Sequence, residues 1–133
     1  MHRRAIVTFC LVVGLSPTAC GTLTTATTSD RLSGEWIWVE SVGGIAGMTL
    51  TPESTGETMM LRFRHGDSID LVRDGSLQRS VDYETTRDDS DGEFLLTTDP
   101  PLFSFESQTA AVRVDTLILV DPCCDGFTYR FVR

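Results

Sequence analysis

Lysine is absent from this chain: all eleven of its cationic side chains are arginine, set against nineteen aspartates and glutamates for a net charge of −8. An acidic balance of that size argues against a phosphate-neutralising, nucleic-acid-binding surface and against attraction to anionic lipid headgroups. Histidine is scarce, with two in 133 residues, one of them at position 2. That leaves His65 alone in the body of the chain, inside the expected turn His65-Gly66-Asp67. Neither a Ser/His/Asp triad nor a multi-histidine zinc site then has its parts. Carboxylates are plentiful, but no spacing singles out an acid/base pair, so the expectation is a non-enzyme with no metal and no cofactor. No segment carries an extended 3.6-residue apolar period, which argues against a helical fold. The longest apolar run, Ala5 to Leu15, would span about 16 Å as a helix, against about 30 Å of bilayer hydrocarbon. It is too short to remain as a membrane span.

What is there begins with an address. Met1-His2-Arg3-Arg4 is a basic head, the apolar run follows, and Ser16-Pro17-Thr18-Ala19-Cys20 supplies small residues at a cleavage site. That order of features makes a secretory signal. The cysteine at the junction resembles the bacterial lipobox, where a small residue precedes a cysteine that receives a diacylglycerol and heads the mature chain. Ala19 and Thr18 suit the two positions before it, and Pro17 stands where a leucine is usual. The resemblance implies a signal peptide over 1–19, a lipid on Cys20, export to the cell envelope and a membrane partner through that anchor. The same resemblance implies that Gly21, rather than an aspartate, follows the lipidated residue, which in a Gram-negative cell favours the outer membrane. Each buried methylene of such an anchor contributes about 0.8 kcal/mol of membrane affinity. Loss of Arg3 and Arg4 leaves nine arginines against nineteen acids, a net charge near −10. Residues 20–31 form the lipidated N-terminus and tether, because Gly21 to Ser29 is Thr-rich with no alternation. Residues 32–133 remain for one domain with one modest core.

Within that domain the chain divides into short β segments. They are Glu35–Val39, Met59–Phe63, Ser68–Val72, Leu77–Tyr83, Phe94–Thr97, Leu102–Phe105, Ala110–Val114, Leu117–Val120 and Phe127–Val132. Asp74-Gly75 is a two-residue hairpin signal, and Asp99-Pro100-Pro101 breaks the chain between two of the segments. A spacing of about 8–12 residues predicts a sandwich or barrel. Alternation places Met59, Leu61 and Phe63 on one face against Arg62 and Arg64, then Leu77, Val81 and Tyr83 against Gln78, Ser80, Asp82 and Glu84. Phe127, Tyr129 and Phe131 oppose Thr128 and Arg130. One apolar and one wet face per strand suits an antiparallel sheet curled on itself. The first strand is apolar on both faces, which predicts that another segment or a partner chain covers its outer side.

Leu32-Ser33-Gly34-Glu35-Trp36 resembles the Gly-x-Trp signature of lipocalins. The resemblance implies an up-and-down barrel of about eight strands whose closed end is plugged by Trp36. An arginine near the last strand would pack across that ring, with Arg130 the best match by position and Arg133 second. Over 32–133 the chain is similar to small bacterial lipoproteins with a lipocalin-like domain, a family mostly without an assigned activity. The blocks that carry this are Ser41-Val42-Gly43-Gly44-Ile45-Ala46-Gly47, Thr51-Pro52, Ser54-Thr55-Gly56, Asp115 to Leu119 and Cys123-Cys124-Asp125-Gly126-Phe127.

Four features are candidates for function. Ser41 to Glu57 is long for a hairpin link. By the lipocalin resemblance it is a lid over the mouth that brings Ile45, Met48 and Leu50 to a ligand, and otherwise a loop that closes the barrel. Trp36, Trp38, Phe63, Tyr83, Phe103, Phe105 and Phe127 line a small cavity or fill it, since an eight-stranded barrel is wide enough for either. The ligand-binding candidates are thus Trp38, Ile45, Met48, Phe63, Tyr83, Phe103 and Phe105. Cys123-Cys124 is a possible redox pair: free thiols, a vicinal disulfide or an intermolecular bond, with too few neighbours for a metal site. Asp88 to Glu93 has the oxygen density of a calcium loop without its ligand spacing, and reads as a solvated hairpin tip. Two functions follow. One is a binding module for a small apolar ligand; the other is an envelope protein-interaction or inhibitor module on a filled barrel.

Overall fold

The computed structural model describes residues 27–87 and 92–133. Cys20, the signal peptide expected over 1–19, the first part of the expected tether and residues 88–91 of the expected acidic tip lie outside the described residues. Among the described residues nine strands and two short helices form, in the order α1 (Thr28–Leu32), β1 (Gly34–Gly43), β2 (Met48–Leu50), α2 (Pro52–Thr55), β3 (Met59–Arg64), β4 (Ser68–Arg73), β5 (Ser76–Arg87), β6 (Glu93–Asp99), β7 (Ser107–Arg113), β8 (Thr116–Val120) and β9 (Phe127–Val132). From β3 to β9 each strand pairs antiparallel with the next. β1 joins the two ends, with Gly34–Ile37 against β3 and Ile37–Gly43 against β9. The eight strands β1 and β3–β9 close an antiparallel barrel, and β2 extends it along the far part of β1. Of the sandwich and the barrel that strand spacing allows, this is the barrel, all-β and closed by eight strands.

Local chemistry explains the elements. Asp74 and Gly75 both take positive φ, 50° and 76°, as a two-residue hairpin matched to strand twist requires. Thr27 and Thr51 cap the helices by accepting the amides of Asp30 and Ser54, while those side chains accept the cap amides in return. Pro52 then opens α2, and Gly56 ends it in the left-handed conformation.

Two bulges decide which side chains face inward. Val39 is an extra residue between the Trp38 and Glu40 pairings with β9, so Trp36, Trp38 and Ser41 all point into the barrel. Gln78 is the extra residue of β5, opposite Leu71 and Val72. It corrects the expectation for Leu77, which faces solvent at 59 % exposure while Val81 and Tyr83 are buried. Of the two covers expected for the outer side of β1, another segment of this chain is not the one among the described residues, for Ile37 is 57 % exposed. Ile37 instead belongs to an outward apolar row, Val132–Ile37–Met60–Val72–Leu77, each residue directly opposite the next across five strands.

Leu102–Phe105 is not a strand. Pro100 and Pro101 cannot donate to a ladder, and the β6–β7 link closes at the Thr98 amide and Glu106 carbonyl. The segment turns inward, where Leu102 is buried and its amide donates to Thr98 Oγ1 at 3.0 Å. The long loop expected over Ser41–Glu57 is likewise ordered: β1 runs on to Gly43, a turn over 44–47 follows, and β2 and α2 occupy the rest.

The interior is packed rather than hollow. Leu32, Trp36, Leu61, Ile69, Leu117, Leu119 and Phe131 are fully buried, and nineteen buried apolar residues form one cluster. Phe63 and Tyr83 meet edge to face at 5.4 Å within it. Each such large side chain contributes about 1.5–3 kcal/mol by leaving water.

Candidate functional site

The two ends of the barrel differ in construction. At the end where β1 begins and β9 finishes, Trp36 is fully buried and its indole N–H donates to the Leu32 carbonyl at 2.7 Å. The Arg133 guanidinium lies 4.5 Å from the Trp36 ring centre. It also donates to the carbonyls of Arg31 and Val114 at 3.2 and 3.3 Å, and Arg31 itself reaches the Val112 carbonyl. Gly34 has φ of +114° with open space where a Cβ would stand, so the backbone torsion asks for glycine at the foot of β1. This end is closed. The arginine over Trp36 is Arg133 and not Arg130: with Phe131 buried, strand parity sends Arg130 outward, where it pairs with Glu40 at 2.9 Å.

The opposite end carries the turn over 44–47, α2, the Asp74-Gly75 hairpin, the 100–106 segment and the Cys123-Cys124 turn. A cavity of about 190 Å³ opens there, walled by Trp38, Leu50, Met59, Phe127 and Tyr129 with Ser41, Thr55, Glu57 and Arg73 at its polar edge. Beside it a wider depression of about 410 Å³ is lined by Leu71, Leu102 and Phe103 and by Arg73, Gln78, Arg79, Ser104 and Tyr129. The two share Arg73 and Tyr129. Phe103 stacks on Tyr129 with ring centres 4.4 Å apart, and Phe127 meets Tyr129 at 6.0 Å. Trp38 is fixed by its indole N–H, which donates to Ser41 Oγ at 2.9 Å.

Polar groups hold this rim in shape. The buried Asp121 carboxylate accepts from Gln108 Nε2 at 2.7 Å and from the Phe127 amide at 2.8 Å. A Cβ on Gly126 would lie 2.4 Å from the Cβ of Asp121, and one on Gly43 would lie 2.2 Å from the Gly126 carbonyl. Both glycines are therefore demanded by close backbone approach. Burial, reinforced by the negative charge of Asp121, pushes the Tyr129 phenol up to about 12. Burial also raises the Tyr83 phenol, against a partly offsetting hydrogen bond from Ser29. Arg73 pairs with Glu57 at 3.3 Å, while the Arg79 guanidinium donates to the Pro101 carbonyl. Cys123 and Cys124 are exposed and unbridged at the tip of the Asp121–Gly126 turn. Among the described residues, no three of His, Cys, Asp and Glu converge as a metal site would need.

Of the ligand and cavity residues read from the sequence, Trp38, Leu50 and Phe127 line the smaller cavity at the mouth and Phe103 the wider depression beside it. Phe63 and Tyr83 are core residues lower in the barrel. Ile45 (91 % exposed) and Met48 point to solvent, and half-buried Phe105 lies away from both depressions. Sequence reasoning missed Met59, Arg73, Arg79, Leu102 and Tyr129 as mouth residues. The signal for them is position: each stands at the same end of its strand or in a link at that end. Comparison with protein-family models, curated proteins and solved structures finds no match for this chain.

Proposed function

We propose that this chain is an envelope lipoprotein, lipid-anchored at Cys20, whose lipocalin-like barrel takes a small ligand with an apolar body at its mouth. The observation that carries this reading is the apolar wall of Trp38, Leu50, Met59, Phe127 and Tyr129 around an open cavity of about 190 Å³ above a packed interior. Ligand sites are concave and mostly apolar, with a few fixed polar groups, and they favour barrel mouths. The ligand would sit on the core rather than within it, so its apolar part is small, near one ring system.

Titration of the unlipidated chain from Gly21 onward with N-phenyl-1-naphthylamine tests the site. Saturable binding that quenches Trp emission is expected, and Leu50→Asp should weaken it at least tenfold. No saturable response to this probe or to medium-chain alcohols would overturn the reading. The anchor is read separately from the mass of the processed chain, where an unmodified N-terminus would remove it.

A second reading draws on a different observation. The outward row Val132–Ile37–Met60–Val72–Leu77 on a filled barrel suits an envelope protein-interaction module. Ile37→Asp should then abolish capture of the partner in envelope cross-linking and leave probe binding intact; capture unaffected by this change removes that reading.

A further inference from the structure

We infer that the mouth recognises an anionic group on its ligand, through Arg79 and Arg73. This rests on the proposed mouth site and narrows the class of molecule it takes: a small aromatic or aliphatic body bearing a carboxylate, sulfonate or phosphate.

The argument starts from composition. Acids outnumber arginines nineteen to eleven in the chain, yet the wider mouth depression is lined by two arginines and no acid. Arg79 lies directly across from Leu71 on the inward face of β5, and Arg73 ends β4 on the inward face opposite Met59. Cross-strand geometry therefore delivers both guanidiniums to one rim. Arg73 has its ion-pair partner in Glu57, on the side of the smaller cavity. Arg79 has no carboxylate within 4 Å among the described residues, and its contact is a backbone carbonyl that occupies part of its donor fork. On the barrel wall Arg62, Arg64 and Arg130 each pair with an acid, while Arg113 at the far end of β7 has none among the described residues; what sets Arg79 apart is its place in the lining of the mouth. A guanidinium presents five donors in a planar fork matched to carboxylate or phosphate oxygens, and charge-assisted bonds of this kind are about twice as strong as neutral ones. Gln78 and Ser104 add polar groups on the same lining. Leu71 and Phe103 supply an apolar floor beside the charges, and Tyr129 joins this depression to the apolar cavity. One amphiphile can thus place its body against Trp38 and Tyr129 and its anion against Arg79.

Two probes that differ only by the anion test this: 8-anilinonaphthalene-1-sulfonate and its uncharged parent, N-phenyl-1-naphthylamine, each titrated into the full mature chain. The expected result is at least tenfold tighter binding of the sulfonate. Arg79→Gln should bring the two within threefold, with the parent probe and the near-ultraviolet circular dichroism unchanged. Arg73→Gln should reduce the preference in the same direction, and Arg130→Gln, on the outer wall, should leave it intact. Equal binding of both probes to the wild type, or a preference that survives loss of both Arg79 and Arg73, overturns the anion site and leaves the mouth site standing. Binding of neither probe overturns both readings.

Discussion

Arg130 and Arg133 are three positions apart, and that separation changes which side of the sheet each serves. In an extended strand, side chains alternate faces; with Phe131 inside, Arg130 faces out and finds Glu40. Arg133 lies just past β9 on the parity of Phe131, its amide still donating to the Asp115 carbonyl at 3.1 Å, and its guanidinium lies across Trp36. A match by position alone did not separate the two, whereas the alternation of Phe127, Tyr129 and Phe131 with Thr128 and Arg130 puts Arg130 on the outer face and Arg133 on the parity of Phe131. Arg133→Ala should cost about 1–3 kcal/mol, combining a cation–π contact of about 0.5–2 kcal/mol with lost hydrogen bonds to two carbonyls. Arg130→Ala removes a half-exposed ion pair, worth about 0.2–1 kcal/mol. Urea unfolding followed by Trp emission measures both, and equal costs would count against the stacking assignment. Arg79 shows a related limit of legibility. It stands on the inward face with Val81 and Tyr83, but alternation written in apolar residues passes over a charge that surfaces at the rim.

At the scale of elements, hairpin chemistry and alternation were legible wherever no residue was inserted. Met59, Leu61 and Phe63 are buried as their spacing implies, and the Asp74-Gly75 hairpin joins β4 to β5. Val39 and Gln78 broke the pattern: a bulge looks like any other residue in the sequence, yet it inverts the face of everything beyond it. Leu102–Phe105 has the composition of a strand and lost the competition to Pro100-Pro101 and to the stacking of Phe103 on Tyr129. The Asp121–Gly126 turn carries the vicinal cysteines, but its shape derives from Asp121 and the two glycines. Asp121→Ala strips partners from a buried Gln108 amide and the Phe127 amide, and is expected to cost about 2–4 kcal/mol. Replacing both exposed cysteines with serine should change stability by less than about 0.5 kcal/mol. Denaturant midpoints for the two variants decide the matter. A double-serine variant as unstable as Asp121→Ala would mean that a bridge between the thiols holds the turn.

Across the whole molecule, spacing conveyed an all-β sandwich or barrel, whereas the choice of a barrel, its closure through β1 and its filled interior depend on long-range pairing that spacing does not encode. Composition becomes informative again when the pH is raised. The chain has no lysine and two tyrosines, so tyrosinate absorbance and alkaline stability both report on Tyr83 and Tyr129, while arginine stays protonated. Burial raises both phenols, Tyr129 to about 12 from an ordinary value of 10.0. Between those values the unfolded chain has released the phenol proton and the folded chain still holds it. The unfolded state then binds fewer protons, and stability falls as pH rises through this window. Below pH 10 both states are protonated at Tyr129 and the contribution is fully present. Tyr129→Phe keeps the ring that stacks on Phe103 and removes the titrating group, so the decline above pH 10 should shrink to the share carried by Tyr83. Spectrophotometric titration of the folded wild type should show no phenol ionising at its ordinary value. Parallel stability losses in wild type and Tyr129→Phe would take the alkaline weakness away from Tyr129 and leave it to the other buried phenol, Tyr83.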